Sequence, residues 1–258
     1  MSDYLGRFLW YELLAADPDR AKAFYSELIG WGTEPFGTGP MPYTLWKHGD
    51  VPIGGMMALP EEVKKAGVPS HWLAYVGTPS VDTTVSKATG LGAKTMVPPT
   101  DIPEVGRFAV LQDPQGAGFA LYTPKGDPGP ECSPESGMIS WHELMTTDHG
   151  AAFDFYSALF GWKKGQAMDM GPAGIYQLYG RTADAHLGGM FNKPPDVPGP
   201  PYWLLYVSVA DVNESVERVK HLGGQVLNGP MEVPGGDLIA QCLDSQGAAF
   251  ALHSKAKS

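Results

Sequence analysis

A short pattern that occurs twice constrains this chain more than any other feature. The motif Trp-x-Glu-Leu begins at Trp10 and returns at Trp141, and the helix signal at Asp17 returns at Asp148. Both pairs are 131 positions apart, so the spacing persists well beyond the motif itself. A constant offset of this kind indicates a duplicated module. We therefore predict two similar modules, at residues 1–124 and 137–258, joined by a proline-rich linker at 125–136.

Each module has the signals of a mixed α+β unit. In the first, an alternating aromatic strand precedes a helix that Asp17 caps and Pro18 begins, with Gly30 as its stop. Further strands, a second helix and a hairpin turning at 113–116 follow. The pattern predicts strand-helix-strand-strand twice in each module, with residues 60–70 as a polar loop.

Composition excludes several classes of function. The chain has 258 residues and a formal charge of −10, with 18 basic residues scattered among 28 acidic ones, which argues against a nucleic-acid partner. No window is apolar for long enough to span a membrane, and no basic segment followed by an apolar one stands at the start. We expect a cytoplasmic monomer or homodimer that binds a small molecule and has no membrane or nucleic-acid partner.

The helix phrase at 17–25 and the turn Asp113-Pro114-Gln115-Gly116 resemble the vicinal oxygen chelate superfamily, which includes glyoxalases, extradiol dioxygenases and bleomycin resistance proteins. The resemblance covers residues 7–124 and 137–254, and the Trp-x-Glu-Leu openings are most similar to two-module glyoxalase-like proteins that include a mycobacterial antigen. It implies tandem βαβββ modules that form paired, cup-shaped half-barrels.

Members of this superfamily usually hold a divalent metal in the cup. The resemblance implies three ligand positions in each module, and none of them carries a side chain that ligates metals: Trp10, Leu73 and Ala120; Trp141, Leu204 and Ala251. We therefore expect no standard metal site and no cofactor. A divalent ion held through Glu12 and His71, or through Glu143 and His253, is the alternative.

Strand alternation places other polar side chains beside these positions, because residues two apart share a face. Each cup then has one Glu, one His and one Tyr as candidate catalytic residues: Glu12, His71 and Tyr122; Glu143, Tyr202 and His253. A Glu with a neighbouring His is suited to proton abstraction next to a carbonyl. Buried Glu with such neighbours also forms purely structural networks. Alternation places His142 on the helix-packing face, where a structural role is expected.

Aromatic and thioether side chains form the candidate ligand-binding set near the open face: Trp10, Trp46, Met56, Trp141, Tyr179 and Met190. Flat rings and flexible methionines suit an organic ligand, although the same residues also fill interfaces. Two hypotheses follow from this set. The first is a metal-independent glyoxalase-like enzyme of the lyase or isomerase kind, and the second is a non-catalytic binding or drug-sequestering protein.

Overall fold

The computed structural model describes residues 4–37, 42–129, 135–195, 197 and 199–256. Part of the predicted linker, residues 130–134, lies outside this range. The first repeat consists of β1 (Phe8–Ala15), α1 (Pro18–Ile29), β2 (Gly32–Phe36), β3 (Tyr43–His48), β4 (Val51–Ala58), α2 (Glu61–Lys65), β5 (His71–Gly77), α3 (Val81–Gly90), β6 (Lys94–Ile102), β7 (Gly106–Gln112) and β8 (Gly118–Pro124). The second consists of β9 (Ile139–Thr146), α4 (His149–Phe160), β10 (Lys163–Asp169), β11 (Ile175–Gly180), β12 (His186–Asn192), β13 (Tyr202–Ser208), α5 (Val212–His221), β14 (Gln225–Glu232), β15 (Leu238–Leu243) and β16 (Ala249–Ser254).

The first helix of each repeat begins and ends where the sequence predicts. The Asp17 carboxylate accepts a hydrogen bond from the Arg20 backbone N–H, and Asp148 accepts from two N–H groups of the first turn of α4. At the other end, Gly30 has a φ of 88° and Gly161 one of 73°, a left-handed conformation that glycine adopts without steric cost.

The strands form two eight-stranded mixed sheets, in the orders β2-β3-β4-β1-β5-β8-β7-β6 and β10-β11-β12-β9-β13-β16-β15-β14. The α+β prediction and the βαβββ order that the resemblance implies are therefore confirmed. The count of two strands after each helix, predicted from the sequence pattern, was wrong. Each half-module, meaning a long helix with the strand before it and the strands after it, has three strands after its helix. The strands that the sequence pattern missed are those at the sheet edges: β2, β6, β10 and β14. The loop predicted at 60–70 also contains the short helix α2.

By contacts the chain divides into two compact units, and each unit combines segments of both repeats. One unit contains residues 73–131 and 141–203 with the N-terminal 1–9, and the other contains 10–72, 132–140 and 204–258. Each has its own buried core, built on α3 and α4 in the first unit and on α1 and α5 in the second. In the described part of the chain, no helix is long and apolar enough to cross a membrane.

A chain of three buried polar groups ties the two repeats together in the first unit. The Trp203 indole N–H donates to the Tyr156 hydroxyl at 3.1 Å, and this hydroxyl donates to the Asp113 carboxylate at 2.9 Å. The same carboxylate accepts three backbone N–H groups of its own turn. Tyr156 is fully buried, so the satisfied bonds avoid the cost of an unpaired polar group.

The second unit repeats this chain with the repeats exchanged. Trp72 donates to the Tyr25 hydroxyl at 2.9 Å, and Tyr25 donates to Asp244 at 3.2 Å. Burial raises the pKa of Tyr25 well above its usual range, and the nearby Asp244 charge adds to this. Tyr25 therefore remains a hydroxyl donor at neutral pH. Each Asp-x-Gln-Gly turn is thus completed by a tyrosine of the other repeat.

Candidate functional site

The duplicated Gly-Gly-Met motif, on β4 and β12, allows a tyrosine ring to cover the backbone of the strand in each repeat. A methyl group on Gly189 would meet the Tyr176 ring at 2.0 Å, and one on Gly55 would meet the Tyr43 hydroxyl at 2.0 Å. Both positions therefore require glycine so that the ring can cover the backbone. The register places Gly189 beside Glu143 and Gly55 beside Glu12, so each tyrosine is brought next to the motif glutamate.

In the second repeat, Trp141, Tyr176 and Glu143 form a hydrogen-bonded chain. Together with the nearby Tyr202, they make up what we call the Glu143 cluster. The Trp141 indole N–H donates to the Tyr176 hydroxyl at 2.8 Å, and this hydroxyl donates to Glu143 Oε2 at 2.9 Å. Neighbouring Leu144 is buried in the helix-packed core, so alternation places Glu143 on the opposite face of the sheet. The chain points the tyrosine hydroxyl at a carboxylate that is only 4% exposed.

Tyr202 lies close enough to this carboxylate to sense its charge. Burial raises the pKa of Tyr202, and the Glu143 charge raises it further. The effect of the carboxylate is the one expected of a nearby negative charge on a phenol. Tyr202 therefore remains protonated at neutral pH and can donate a hydrogen bond.

The first repeat has the corresponding residues in the other unit. The Trp10 indole N–H donates to the Tyr43 hydroxyl at 2.9 Å, and Glu12 is 8% exposed. The counterpart of Tyr202 is His71, whose Nδ1 lies 2.9 Å from the Pro69 carbonyl oxygen. The two repeats thus share the Trp, Glu and Tyr but differ at the fourth position.

The remaining two candidates lie in different surroundings. The Tyr122 hydroxyl donates to the Val105 carbonyl at 3.1 Å, and burial raises its pKa. His253 lies between Ser140 Oγ, 2.9 Å from Nδ1, and Asp237 Oδ2, 2.9 Å from Nε2. By the division into units, Glu143 and Tyr202 belong to one unit and His253 to the other, while Glu12 and His71 share a unit that does not include Tyr122.

Four residues of the expected ligand-binding set are not near an open face, so this part of the prediction was wrong. Trp46 and Met56 are buried against α1, and Tyr179 and Met190 are buried against α4. The register explains the error, since Met56 pairs with the core residue Leu13 and therefore shares its face. A shift of one residue reverses the face of every side chain in a strand. Trp10 and Trp141 remain partly exposed.

The tyrosines Tyr43 and Tyr176 were missed because they are 133 positions apart and fall outside the 131-residue offset. The duplicated glycines were the available signal, since a Gly-Gly pair in a strand indicates close approach of another group.

His142 is placed as expected: its Nδ1 lies 2.9 Å from the Leu187 carbonyl oxygen, and its ring stacks on Phe8 at 3.6 Å. Burial lowers the pKa of His142 to about 4, so it is neutral and Nδ1 is the donor.

Comparison with known proteins identifies the family. The model of the glyoxalase/bleomycin resistance protein/dioxygenase superfamily matches residues 138–252, and a glyoxalase-like domain model matches residues 11–122. The protein CFP32 of Mycobacterium tuberculosis is 30% identical over 94% of this chain and 92% of its own length. This chain belongs to that superfamily. The anthracycline biosynthesis protein DnrV of Streptomyces peucetius is 28% identical over 94% of this chain and 91% of its own length.

Solved structures support the same glyoxalase-like fold. The Mn(II)-bound glyoxalase of Novosphingobium aromaticivorans matches all of this chain and 84% of its own, with a TM-score of 0.65 at 18% identity. The 2,3-dioxygenase LapB of Pseudomonas sp. KL28 matches 98% of this chain and 94% of its own, with a TM-score of 0.68 at 12% identity. At such identities the likeness concerns the fold alone.

The donor set of this superfamily member does not fit the metal that its resemblance implies. The expected ligand positions on β5 and β13 are Leu73 and Leu204, and those on β8 and β16 are Ala120 and Ala251, all buried and without a donor atom in the side chain. Within the described ranges, no three His, Cys, Asp or Glu side chains stand together as a metal site would require.

Proposed function

We propose that this chain binds a small, hydroxylated aromatic molecule through the Glu143 cluster, without a metal ion. The observation that carries the proposal is the hydrogen-bonded chain Trp141–Tyr176–Glu143. It stands at the start of the strand where the superfamily resemblance places the first metal ligand. Because hydrogen bonds hold the tryptophan, the tyrosine and the carboxylate together, they can contact a ligand through a ring face and hydrogen bonds, whereas a metal would bind it by coordination.

The chemistry of the cluster indicates the ligand class. A carboxylate that accepts from Tyr176 is acceptor-only when ionised, so it favours a ligand group that donates, such as a hydroxyl. The partly exposed Trp141 offers a flat apolar surface for an aromatic ring. Tyr202, held protonated, supplies a donor for a ligand oxygen. One relative is named for anthracycline biosynthesis, and anthracyclines are planar, hydroxylated and polycyclic.

The same residues support a second candidate function, which is proton transfer on the bound molecule. Glu143 is a potential general base, and Tyr202 is a hydroxyl whose pKa is raised by burial and by the Glu143 charge. A base beside a protonated donor is the arrangement needed to remove a proton next to a carbonyl and stabilise the developing oxyanion. This function requires turnover, whereas the first requires only binding.

The test uses full-length protein freed of metal with a chelator. Binding of a hydroxyanthraquinone is followed by quenching of tryptophan fluorescence in the wild type, in Glu143→Gln and in Tyr176→Phe. Glu62→Gln, on the exposed helix α2, is the matched control. Because a hydrogen bond to a charged group contributes about 1.5–3 kcal/mol, we expect Kd to rise roughly 10- to 100-fold in Glu143→Gln.

Two results would overturn the proposal. One is binding by the wild type that Glu143→Gln leaves unchanged, and the other is binding that appears only after a divalent ion is added back. Product analysis of the bound compound by mass spectrometry then separates the two candidates. Turnover that Glu143→Gln abolishes supports proton transfer, and recovery of unaltered ligand supports binding alone.

A further inference from the structure

Three polar side chains of the second repeat form a linear chain that the Glu143 cluster does not use. Ser140 Oγ lies 2.9 Å from His253 Nδ1, and His253 Nε2 lies 2.9 Å from Asp237 Oδ2. All three residues belong to the unit made of 10–72, 132–140 and 204–258. Serine, histidine and carboxylate in this order are the components of an activated nucleophile.

The hydrogen bonds fix the tautomer of the imidazole in the form that a general base needs. An ionised carboxylate accepts only, so the proton of a neutral His253 must be on Nε2, facing Asp237. Burial raises the pKa of Asp237, but its hydrogen bonds from His253 and from the Ala256 backbone N–H together outweigh this effect and lower the pKa. Nδ1 then has a lone pair directed at the Ser140 hydroxyl, and that hydroxyl is the donor.

A competing acceptor for the serine is weaker. Ser140 Oγ is also 3.3 Å from the Tyr206 carbonyl oxygen, a longer distance than the 2.9 Å to His253. Because a hydroxyl has one proton, it donates to one of these acceptors at a time. The shorter distance favours donation to His253 Nδ1, which is the atom that takes up the proton when the hydroxyl is deprotonated.

The three side chains are accessible to a small molecule. The His253 side chain is 19% exposed and that of Asp237 is 35% exposed, while Ser140 is partly exposed. The first repeat has Leu9, Tyr122 and Gly106 at the positions 131 residues earlier. The two repeats therefore differ at all three positions, and the first repeat serves as an internal comparison that lacks every one of these functional groups.

We propose that Ser140, His253 and Asp237 form an acyl-accepting site for small esters, separate from the Glu143 cluster. Ser140 Oγ bonds to the ester carbonyl carbon while its proton moves to His253 Nδ1. The carbon–oxygen bond of the leaving group then breaks, and the alcohol departs with that proton. Water attacks the acyl-serine, losing a proton to His253, and the carboxylic acid leaves as the serine regains its hydrogen.

A fluorophosphonate probe tests the nucleophile without knowledge of the natural ester. The full-length protein is incubated with the probe, and the modified residue is identified by peptide mass spectrometry. We expect phosphonylation of Ser140, absent in Ser140→Ala and unchanged in Ser86→Ala, which removes an exposed serine from α3. A general base contributes roughly 100-fold or more, so His253→Gln should slow labelling by about that factor.

A second variant, His253→Tyr, is included in case His253→Gln fails to fold. Tyrosine is expected to be tolerated there, because Tyr122 occupies the matching position of the first repeat. Circular dichroism checks that each variant is folded. Absence of Ser140 labelling in the folded wild type would overturn the inference, as would labelling of Ser140 at the wild-type rate in both His253 variants. Ligand binding by the Glu143 cluster is measured separately, so failure of one proposal leaves the other testable.

Discussion

The stability of this protein should fall as the pH is lowered from 7 to 4.5, because of one buried histidine. His142 is 6% exposed, stacks on Phe8 and donates Nδ1–H to the Leu187 carbonyl. Burial lowers its pKa from the usual 6.5 to about 4. In the unfolded chain the same imidazole takes up a proton near pH 6.5. The contribution of neutral His142 to the stability of the folded state is therefore complete above pH 6.5, and it is lost progressively as the pH falls toward 4.

The magnitude follows from linkage between protonation and folding. A shift from 6.5 to about 4 corresponds to roughly 3 kcal/mol in total, of which about 2 kcal/mol is lost between pH 7 and 4.5. That amount is a large fraction of the stability of a typical domain. The matched variant is His142→Tyr, since Tyr11 occupies this position in the first repeat.

The assay is urea unfolding of the wild type and of His142→Tyr at pH 7 and pH 4.5. Groups other than His142 titrate in both proteins, so the difference between the two pH dependences isolates His142. We expect the variant to lose about 2 kcal/mol less than the wild type over this interval. Equal pH dependences would refute the reasoning, and so would an NMR titration that places the His142 pKa near 6.5 in the folded protein.

Three further substitutions test the local packing by the same unfolding measurement. Gly189→Ala should cost about 1–3 kcal/mol and change the tryptophan emission, because the new methyl displaces the Tyr176 ring. Tyr156→Phe keeps the ring but leaves the buried Asp113 carboxylate without its tyrosine donor, at a cost of about 1–3 kcal/mol. Asp17→Ala removes the cap of α1 and should cost about 1 kcal/mol, with no shift in the emission maximum.

The sequence predicted the interior of each half-module better than its edges. The capped helices and the apolar central strands follow from patterns that local chemistry produces. The four missed strands are all edge strands, and they are polar or interrupted by proline, as in Gly32–Phe36 and Lys94–Ile102. An edge strand has a neighbour on one side only, so it tolerates proline and needs no apolar face. Its extended conformation is stabilised by pairing with the single neighbouring strand, so the sequence of an edge strand shows little apolar alternation.

The contacts of the candidate site follow from the sequence only in part, for a related reason. Alternation along β9 gave Glu143 and Trp141 as candidates because both lie on the strand that contains the repeated motif. Tyr176 comes from β11, and its contact with Glu143 depends on the register of two further strand pairings and on the gap left by Gly189. The partners of His253 lie on β9 and beside β15, which no period within one strand can connect. Contacts across strands are set by register, and register is a property of the folded sheet.

The duplication visible in the sequence and the compact units of the structure have different boundaries, and the buried polar chains show why. The Asp113 turn of the first repeat is closed by Tyr156 of the second, and the Asp244 turn of the second by Tyr25 of the first. Burial of these carboxylates is tolerable because backbone N–H groups of the turn and a hydroxyl from the other repeat donate to each of them. A repeat therefore encodes half of each core, and the two copies must diverge together at these positions. The Ser140–His253–Asp237 chain, which lies within a single repeat, was free to arise in one copy only.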